Sequence, residues 1–323
     1  MAVVTFNEIQ LDVNRRLNFN DSPAAAVTTR LNTFINQRHR QILSMPGIDR
    51  LRDDNTTFAS VASQATYAMG PSISRIKTIY DGTTNQMKLV ERTLQWLRTA
   101  DPRLASTGTP EAWIPLSIKQ VQAQPAAACN LHVISTSASD TGTCYVEYTR
   151  TGNYRSSASA TMTGSVDKAL TTTTDVIRAD KFYLSAVAVG TVTLLDAAGG
   201  TVLATIPPGQ SYGRYIWMQL WPTPSGVVTY NVDYTREIYD MANAFDEPLL
   251  PPDFHYLLSV GARIDEYEKM DDDRRKLAYG EWQLGISRLR NYLINSPDYV
   301  IVPGGRTQSA SNLGPYYPAG SGW

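Results

Sequence analysis

The chain has 323 residues, with 29 Lys and Arg against 30 Asp and Glu, a formal net charge of -1, 42% apolar residues and 18% charged ones. This balance excludes a general nucleic-acid binder, which carries a basic excess, and a polyanionic disordered chain. No apolar run reaches the roughly 18 residues of a membrane span. The first 17 residues are amphipathic and lack the basic head and apolar core of a secretory signal, so the reading is a non-exported protein of about two domains.

Charge is placed unevenly. Residues 1–55 carry 13 charged side chains, residues 121–235 also 13, and residues 236–295 carry 20. The long middle is rich in Ser, Thr, Val, Ala and Gly, which suits β-structure with small polar side chains toward water. Both ends have helical periodicity.

In chain order, Thr5-Phe6-Asn7-Glu8 has capping-box spacing. Phe6, Ile9, Val13 and Leu17 then mark one helix face. Asp21-Ser22-Pro23 starts a second helix, with Val27, Leu31, Phe34, Ile35, Ile42 and Leu43 as its stripe and an end near Pro46-Gly47. Arg30, Arg38, His39 and Arg40 fall on its polar face, either solvated or a charged partner surface. Ile73, Ile76 and Ile79-Tyr80 precede an Asp81-Gly82 turn, residues 91–98 read as a short helix, and Trp113-Ile114-Pro115 belongs to a further β segment. From about 127 to 213, short alternating runs such as Cys144-Tyr145-Val146-Glu147-Tyr148 and Val202-Leu203-Ala204-Thr205-Ile206 are separated by turn signals. That spacing predicts an all-β sandwich. Residues 171–174 are a strand edge or loop. Leu250-Pro251-Pro252-Asp253 opens a helix reaching about Met270, with Phe254, Leu257, Leu258 and Ile264 apolar. A second helix runs from about Asp272 to Ile294, with Leu277, Trp282, Ile286, Leu289 and Leu293 on its buried face. Neither helix pair buries its face alone, so the two ends of the chain are predicted to pack into one bundle.

The predicted fold class is α+β. Residues 1–66 and 236–295 form the helical bundle, residues 67–126 and 214–235 a β core, residues 127–213 an inserted sandwich, and residues 296–323 an extended C-terminal arm.

Catalytic chemistry finds little support. A zinc site would need Cys129, His132 and Cys144 with a fourth ligand, and the second ligand pair of a zinc finger is missing. The cysteines read as half-buried reduced thiols; a disulfide would require paired strands and an oxidising compartment. Asp271, Asp272 and Asp273 point about 100° apart on a helix and cannot converge on one ion. They read as acids at a helix N-terminus. His255, at a helix start, is a cap or an interface group. Phosphate-loop, nucleophile-elbow, dinucleotide and metalloprotease motifs are absent. No catalytic residue, metal or cofactor is therefore assigned.

Several segments together resemble tailed-bacteriophage head–tail adaptor (connector, head-completion) proteins. These are Leu220-Trp221-Pro222-Thr223-Pro224 followed by a strand ending in Tyr234, then Asp246-Glu247-Pro248-Leu249-Leu250-Pro251-Pro252-Asp253. The N-terminal helices ending in Met45-Pro46-Gly47 and the segment Gly70-Pro71-Ser72-Ile73-Ser74-Arg75-Ile76 fit the same pattern. Residues 127–213 resemble the Ig-like modules often inserted in phage virion proteins, and this large insertion departs from the shortest family members. The resemblance implies a non-enzymatic structural protein at the head–tail junction of the virion, assembled in the host cytoplasm. Such adaptors form rings, usually of twelve subunits, below the portal protein. They extend the DNA ejection channel and dock tail proteins (nozzle, tail tube or fibres), without sequence-specific DNA contacts and without a membrane.

Residue types agree with a ring subunit. Tyr279, Trp282 and Tyr292 are candidates for the subunit interface, where aromatics are favoured, with ordinary core as the alternative. Residues 236–295 hold 12 acids against 8 bases, which suits a wall that lets DNA pass or a solvated outer face. The tail beyond Ser296 is too rich in Gly and Pro for a core of its own. Leu313, Tyr316, Tyr317 and Trp323 are expected to bind the portal or a neighbouring subunit as an arm that orders on its partner. Two other readings compete with the adaptor. One is a virion decoration or tail accessory protein whose sandwich binds glycans through Tyr148, Tyr154 and Tyr183. The other is a carboxylate-based hydrolase, for which no acid pair stands out.

Overall fold

A computed structural model describes residues 5–82, 88–294, 299–302 and 306–309. The protein is α+β. Its elements begin with α1 (Phe6–Arg16), α2 (Ala25–Leu43), β1 (Asp53–Ala59), β2 (Thr66–Ala68), β3 (Ile73–Asp81), β4 (Val90–Glu91) and α3 (Leu94–Ala100). The middle continues with β5 (Thr107–Gly108), β6 (Ala112–Lys119), β7 (His132–Ser135), β8 (Thr143–Arg150), β9 (Tyr154–Thr161), β10 (Lys168–Ala169), β11 (Val176–Leu184), β12 (Val192–Leu195) and β13 (Val202–Ile206). It ends with β14 (Tyr215–Trp221), β15 (Thr223–Pro224), β16 (Thr229–Arg236), α4 (Tyr256–Met270), α5 (Arg274–Ile294), β17 (Tyr299–Val302) and β18 (Arg306–Ser309). Two compact units divide the chain, one made of residues 1–51 and 247–323, the other of residues 52–246.

In the first unit α4 touches α1, α2 and α5. The capping box at Thr5 starts α1. The Thr5 hydroxyl accepts the Glu8 N–H at 3.4 Å and the Glu8 carboxylate accepts the Thr5 N–H at 2.7 Å. Phe6, Ile9 and Val13 are buried on α1, and Leu31, Ile35, Ile42 and Leu43 on α2, at the spacing their periodicity sets. Pro251 leads a 3-10 turn, Pro252–Phe254, directly into α4. That helix is buried on nearly every side, including Ser259, Gly261 and Glu266. Gly261 permits close packing. A Cβ there would lie 2.7 Å from both Arg38 Cγ and Trp282 Cζ3, so only glycine lets α2 and α5 approach α4 together. At Gly285 of α5 a Cβ would stand 2.3 Å from Leu257 Cδ2.

The polar face of α2 is neither solvated nor free for a partner at Arg30 and Arg38. Arg30 forms a bidentate pair with Glu266, Nε to Oε2 at 2.9 Å and Nη2 to Oε1 at 2.6 Å. Arg38 pairs with Asp265 and stacks over Trp282, its guanidinium carbon 5.2 Å from the ring centroid. His39, expected in solvent, is buried, and its Nε2 accepts the Leu249 N–H at 3.2 Å. α4 covers Arg30 and Arg38 and brings its own carboxylates, and the segment before α4, at Leu249, reaches His39.

The second unit holds two cores. β1–β16–β3 and β2–β14–β6–β4 pack over one that includes Ile76, Ile79, Met218, Leu220, Tyr230 and Val232. β11–β8–β9 and β10–β7–β12–β13 pack over a second, with Leu131, Cys144, Val146, Phe182, Leu194 and Leu203. β14 serves both, since Tyr215 at its start lies in the second core and Leu220 near its end in the first. Residues 53–59, grouped with the helices by sequence, form β1. Their exposure alternates weakly, and the antiparallel ladder to β16 decides the conformation. Thr171, in the predicted edge or loop, is buried; its hydroxyl accepts the Leu131 N–H at 2.9 Å.

The Glu266 side chain is only 1% exposed, so removing its partner leaves a buried carboxylate unpaired. Arg30→Ala is expected to cost about 3 kcal/mol. The joint variant Arg30→Met with Glu266→Leu should recover most of it, both measured by urea unfolding followed by circular dichroism.

Candidate functional site

α5 carries exposed apolar side chains on the side away from its buried face. Trp282, Ile286, Leu289 and Leu293 point into the fold and are buried. Leu277, expected on that face, is instead 78% exposed, and Leu284 is also exposed. The reason is angular. Leu277 and Leu284 are seven residues apart, close to two full turns, so they share a side, and the buried set lies about half a turn around the helix. Gly280 sits between them with no atom within 4 Å of a would-be Cβ, which leaves a shallow hollow flanked by two leucines. Arg288 follows one turn later, exposed. Of the aromatic interface candidates, Tyr279 and Tyr292 are exposed, with Tyr292 also 5.5 Å from the Phe254 ring. Trp282 is core, held between Arg38 and Gly261. Exposed Glu281 and Arg288 stand one turn from these leucines, so this side is a mixed apolar and charged surface, of the kind an interface helix presents.

The residues of the family-like motif do not gather at one point. Trp221 precedes Pro222 through a cis peptide. Its indole Nε1 donates to Asp101 Oδ2 at 3.3 Å, and the Trp96 ring meets it edge-on at 5.1 Å. Tyr234 donates to Asp54 at 3.4 Å. Asp246 accepts the N–H groups of Ala242 and Asn243 at 2.6 and 2.7 Å, closing a turn that leaves Phe245 exposed. Leu250 is buried, and its carbonyl accepts from His255 Nε2 at 2.8 Å, which makes His255 a buried structural link. Pro251 and Asp253 frame the 3-10 turn before α4. These are local organisers: a turn closure, a helix entry and an aromatic anchor.

Asp101 was not singled out by sequence, although it follows a short helix and a Thr-Ala pair as a C-terminal cap does. Its carboxylate takes the N–H groups of Ala105 and Ser106 at 3.1 and 2.9 Å besides the Trp221 indole. These bonds, Ser106 foremost, hold its carboxyl at about 2.

The metal reading does not assemble. Cys129 and Cys144 are free thiols, both pushed above the ordinary value by burial. The Cys144 thiol donates to the Ala160 carbonyl. His132 turns to Asp167, Nδ1 to Oδ1 at 2.6 Å. Among the described residues no three His, Cys, Asp or Glu side chains cluster as metal ligands. Of the aspartate triplet, Asp271 ends α4 in a left-handed conformation at φ 53°. Asp272 accepts the Arg274 N–H at 2.9 Å, capping the start of α5. In the predicted sandwich Tyr154 is exposed, and Tyr183 stacks on Tyr145 at 5.2 Å. Tyr148, expected at the surface, is buried because its position on β8 faces the core. Leu313, Tyr316, Tyr317 and Trp323 of the C-terminal arm lie outside the described residues. No protein-family model and no curated protein matches the chain.

The Asp101 carboxyl is lowered on folding, so its stabilisation is present above the unfolded carboxylate value of about 4. It is lost as pH falls toward the folded value of about 2. Acid unfolding followed by Trp fluorescence should show part of the loss in that window. Asp101→Asn should lower stability at neutral pH and reduce the drop between those values.

Proposed function

We propose that the protein is a structural head-to-tail adaptor of a tailed phage, a virion protein at the head–tail junction. It forms a ring, with twelve subunits as the family expectation, below the portal, extends the DNA channel and docks tail proteins. The observation that carries this reading is the exposed Leu277–Gly280–Leu284 face of α5, opposite its buried face. In a cyclic assembly each subunit offers two different surfaces to its neighbours, and the exposed face of α5 is read as one of them. The chain layout agrees. Both ends contribute to one helical unit, read here as the adaptor bundle, and the β half leaves from it and returns at residues 52 and 246. The β7–β13 sheets over their own core are read as the inserted Ig-like sandwich. A chain with near-zero net charge also suits a channel that DNA passes without adhering.

The glycan-binding alternative rests on exposed Tyr154 and the stacked Tyr145–Tyr183 pair. Soluble saccharide binding by purified protein in the absence of rings would favour it.

Negative-stain images of purified protein, or of virions labelled on this chain, should show rings at the portal vertex. Monomers scattered over capsid faces would remove the adaptor reading. The double variant Leu277→Glu with Leu284→Glu should change monomer stability by no more than about 0.5 kcal/mol, as for exposed sites. It should nevertheless abolish ring formation, read by analytical ultracentrifugation and by binding to portal-bearing capsids. Deleting residues 307–323 should weaken capsid binding; undiminished binding would exclude the C-terminal arm as the portal contact.

A further inference from the structure

Two neighbouring hollows in the β unit share Glu91 and Pro115 in their walls. The first, of about 280 Å³, is formed by Ile76 of β3, Trp113 and Leu116 of β6, and Ile216 and Trp217 of β14. Irregular pairing shapes it. Trp217 of β14 faces Ser117 and Met218 faces Pro115, so Leu116 is one residue too many on β6. Thr235 of β16 faces Arg75 and Arg236 faces Ile73, so Ser74 is extra on β3. Bulges of this kind re-aim side chains away from the regular pleat. The hollow is smaller than the roughly 300–1,000 Å³ of small-molecule sites, and it suits one bulky apolar side chain. The second hollow adjoins it along Arg92, Leu94 and Trp96.

Cations without ion-pair partners surround both. Arg75 lines the first hollow. Lys119 lies over the Trp217 ring, its Nζ 4.4 Å from the centroid, and the Arg92 guanidinium lies over Trp96 at 5.2 Å. None of these three forms an ion pair among the described residues, whereas Lys77, Arg150, Arg178 and Lys181 of the same unit each hold a carboxylate. Glu91 is the one acid among the described lining residues. Three cations against one acid favour a partner that is apolar at its tip and acidic around it.

The same chain carries that complement. Residues 237–262 hold the acids Glu237, Asp240, Asp246, Glu247 and Asp253 and no Lys or Arg. Phe245 stands in this stretch and is 88% exposed. Asp246 pins the turn beneath it, taking the N–H groups of Ala242 and Asn243 and the Asn243 side-chain amide. A ring on a pinned turn has little freedom left to lose when it docks. Glu247, two residues on, is exposed and forms no ion pair among the described residues.

We propose that Phe245 of one copy of this chain seats in the hollow lined by Trp113 and Trp217 of a second copy, with the acids beside it meeting Arg75, Arg92 and Lys119. Within its own chain the ring is in water, so the hollow it fills belongs to a neighbour. Buried aromatic anchors in pockets carry most of the energy of such contacts. Glu91 opposes the approach and is outnumbered. Knob and hollow are different surfaces, so the contact is heterologous: it passes from copy to copy and either closes a ring or runs on as a filament. It needs neither portal nor DNA, so the inference goes beyond the adaptor reading and does not rest on it.

The test uses two full-length variants at exposed positions, Phe245→Ala to remove the knob and Ser117→Trp to fill the hollow. Sedimentation velocity should show that the unaltered chain associates and that each variant alone associates about thirtyfold more weakly or not at all, as for loss of an interface anchor. An equal mixture of the two should form dimers and nothing larger. The intact hollow of the Phe245→Ala chain takes the Phe245 of the Ser117→Trp chain, and neither chain can then extend. Unchanged association of either variant, a mixture that stays monomeric, or an unaltered chain that is monomeric at its highest soluble concentration overturns the proposal. Rings that persist in Phe245→Ala would leave the adaptor reading standing and remove this contact; association that needs Phe245, with no rings at the portal vertex, would do the reverse.

Discussion

The helical unit depends on burying α4 together with its charges. A helix packed against three others loses water from most of its surface, yet α4 carries Asp265 and Glu266 at positions where α2 covers it. Burying a carboxylate without a partner costs several kcal/mol. The partners are Arg30 and Arg38, more than two hundred residues earlier in the chain. This requirement ties the two ends of the protein to each other and sets the rotation of α2 about its axis. Gly261 and Gly285 then remove the side chains that would hold the helices apart.

Once the pairs are made, Arg30 and Arg38 no longer offer a partner surface, whereas Leu277 and Leu284 of α5 remain exposed. That helix meets α4 with Trp282, Ile286 and Leu289, and among the described residues no element of its own unit covers its opposite side, with Leu277 and Leu284. In the β unit, β4 pairs with only two residues of β6.

Local signals in the sequence translated well where the physics is local. The Thr5–Glu8 box, the apolar steps of α1 and α2, and the turn pairs between short β runs each depend on residues within a few positions, so pattern and structure agree. Leu277 shows where the rule breaks. α5 has apolar residues on two sides, and only the position of α4 decides which side is core. Tyr148 and Tyr183 are a similar case on strands, since a one-residue difference in register exchanges core for surface. Asp101 escaped notice because its three donors come from a loop and from an indole 120 residues away.

The sequence by itself determined the α+β class, the helical ends around a charge-poor β middle, and most helix boundaries, because caps, periodicity and turn chemistry act over one or two turns of chain. The tertiary structure alone decided which arginines are consumed in ion pairs, which histidines are buried and which side of α5 is exposed. Those outcomes depend on contacts between residues far apart in sequence, and burial is a property of the neighbours a side chain receives, which no single position encodes.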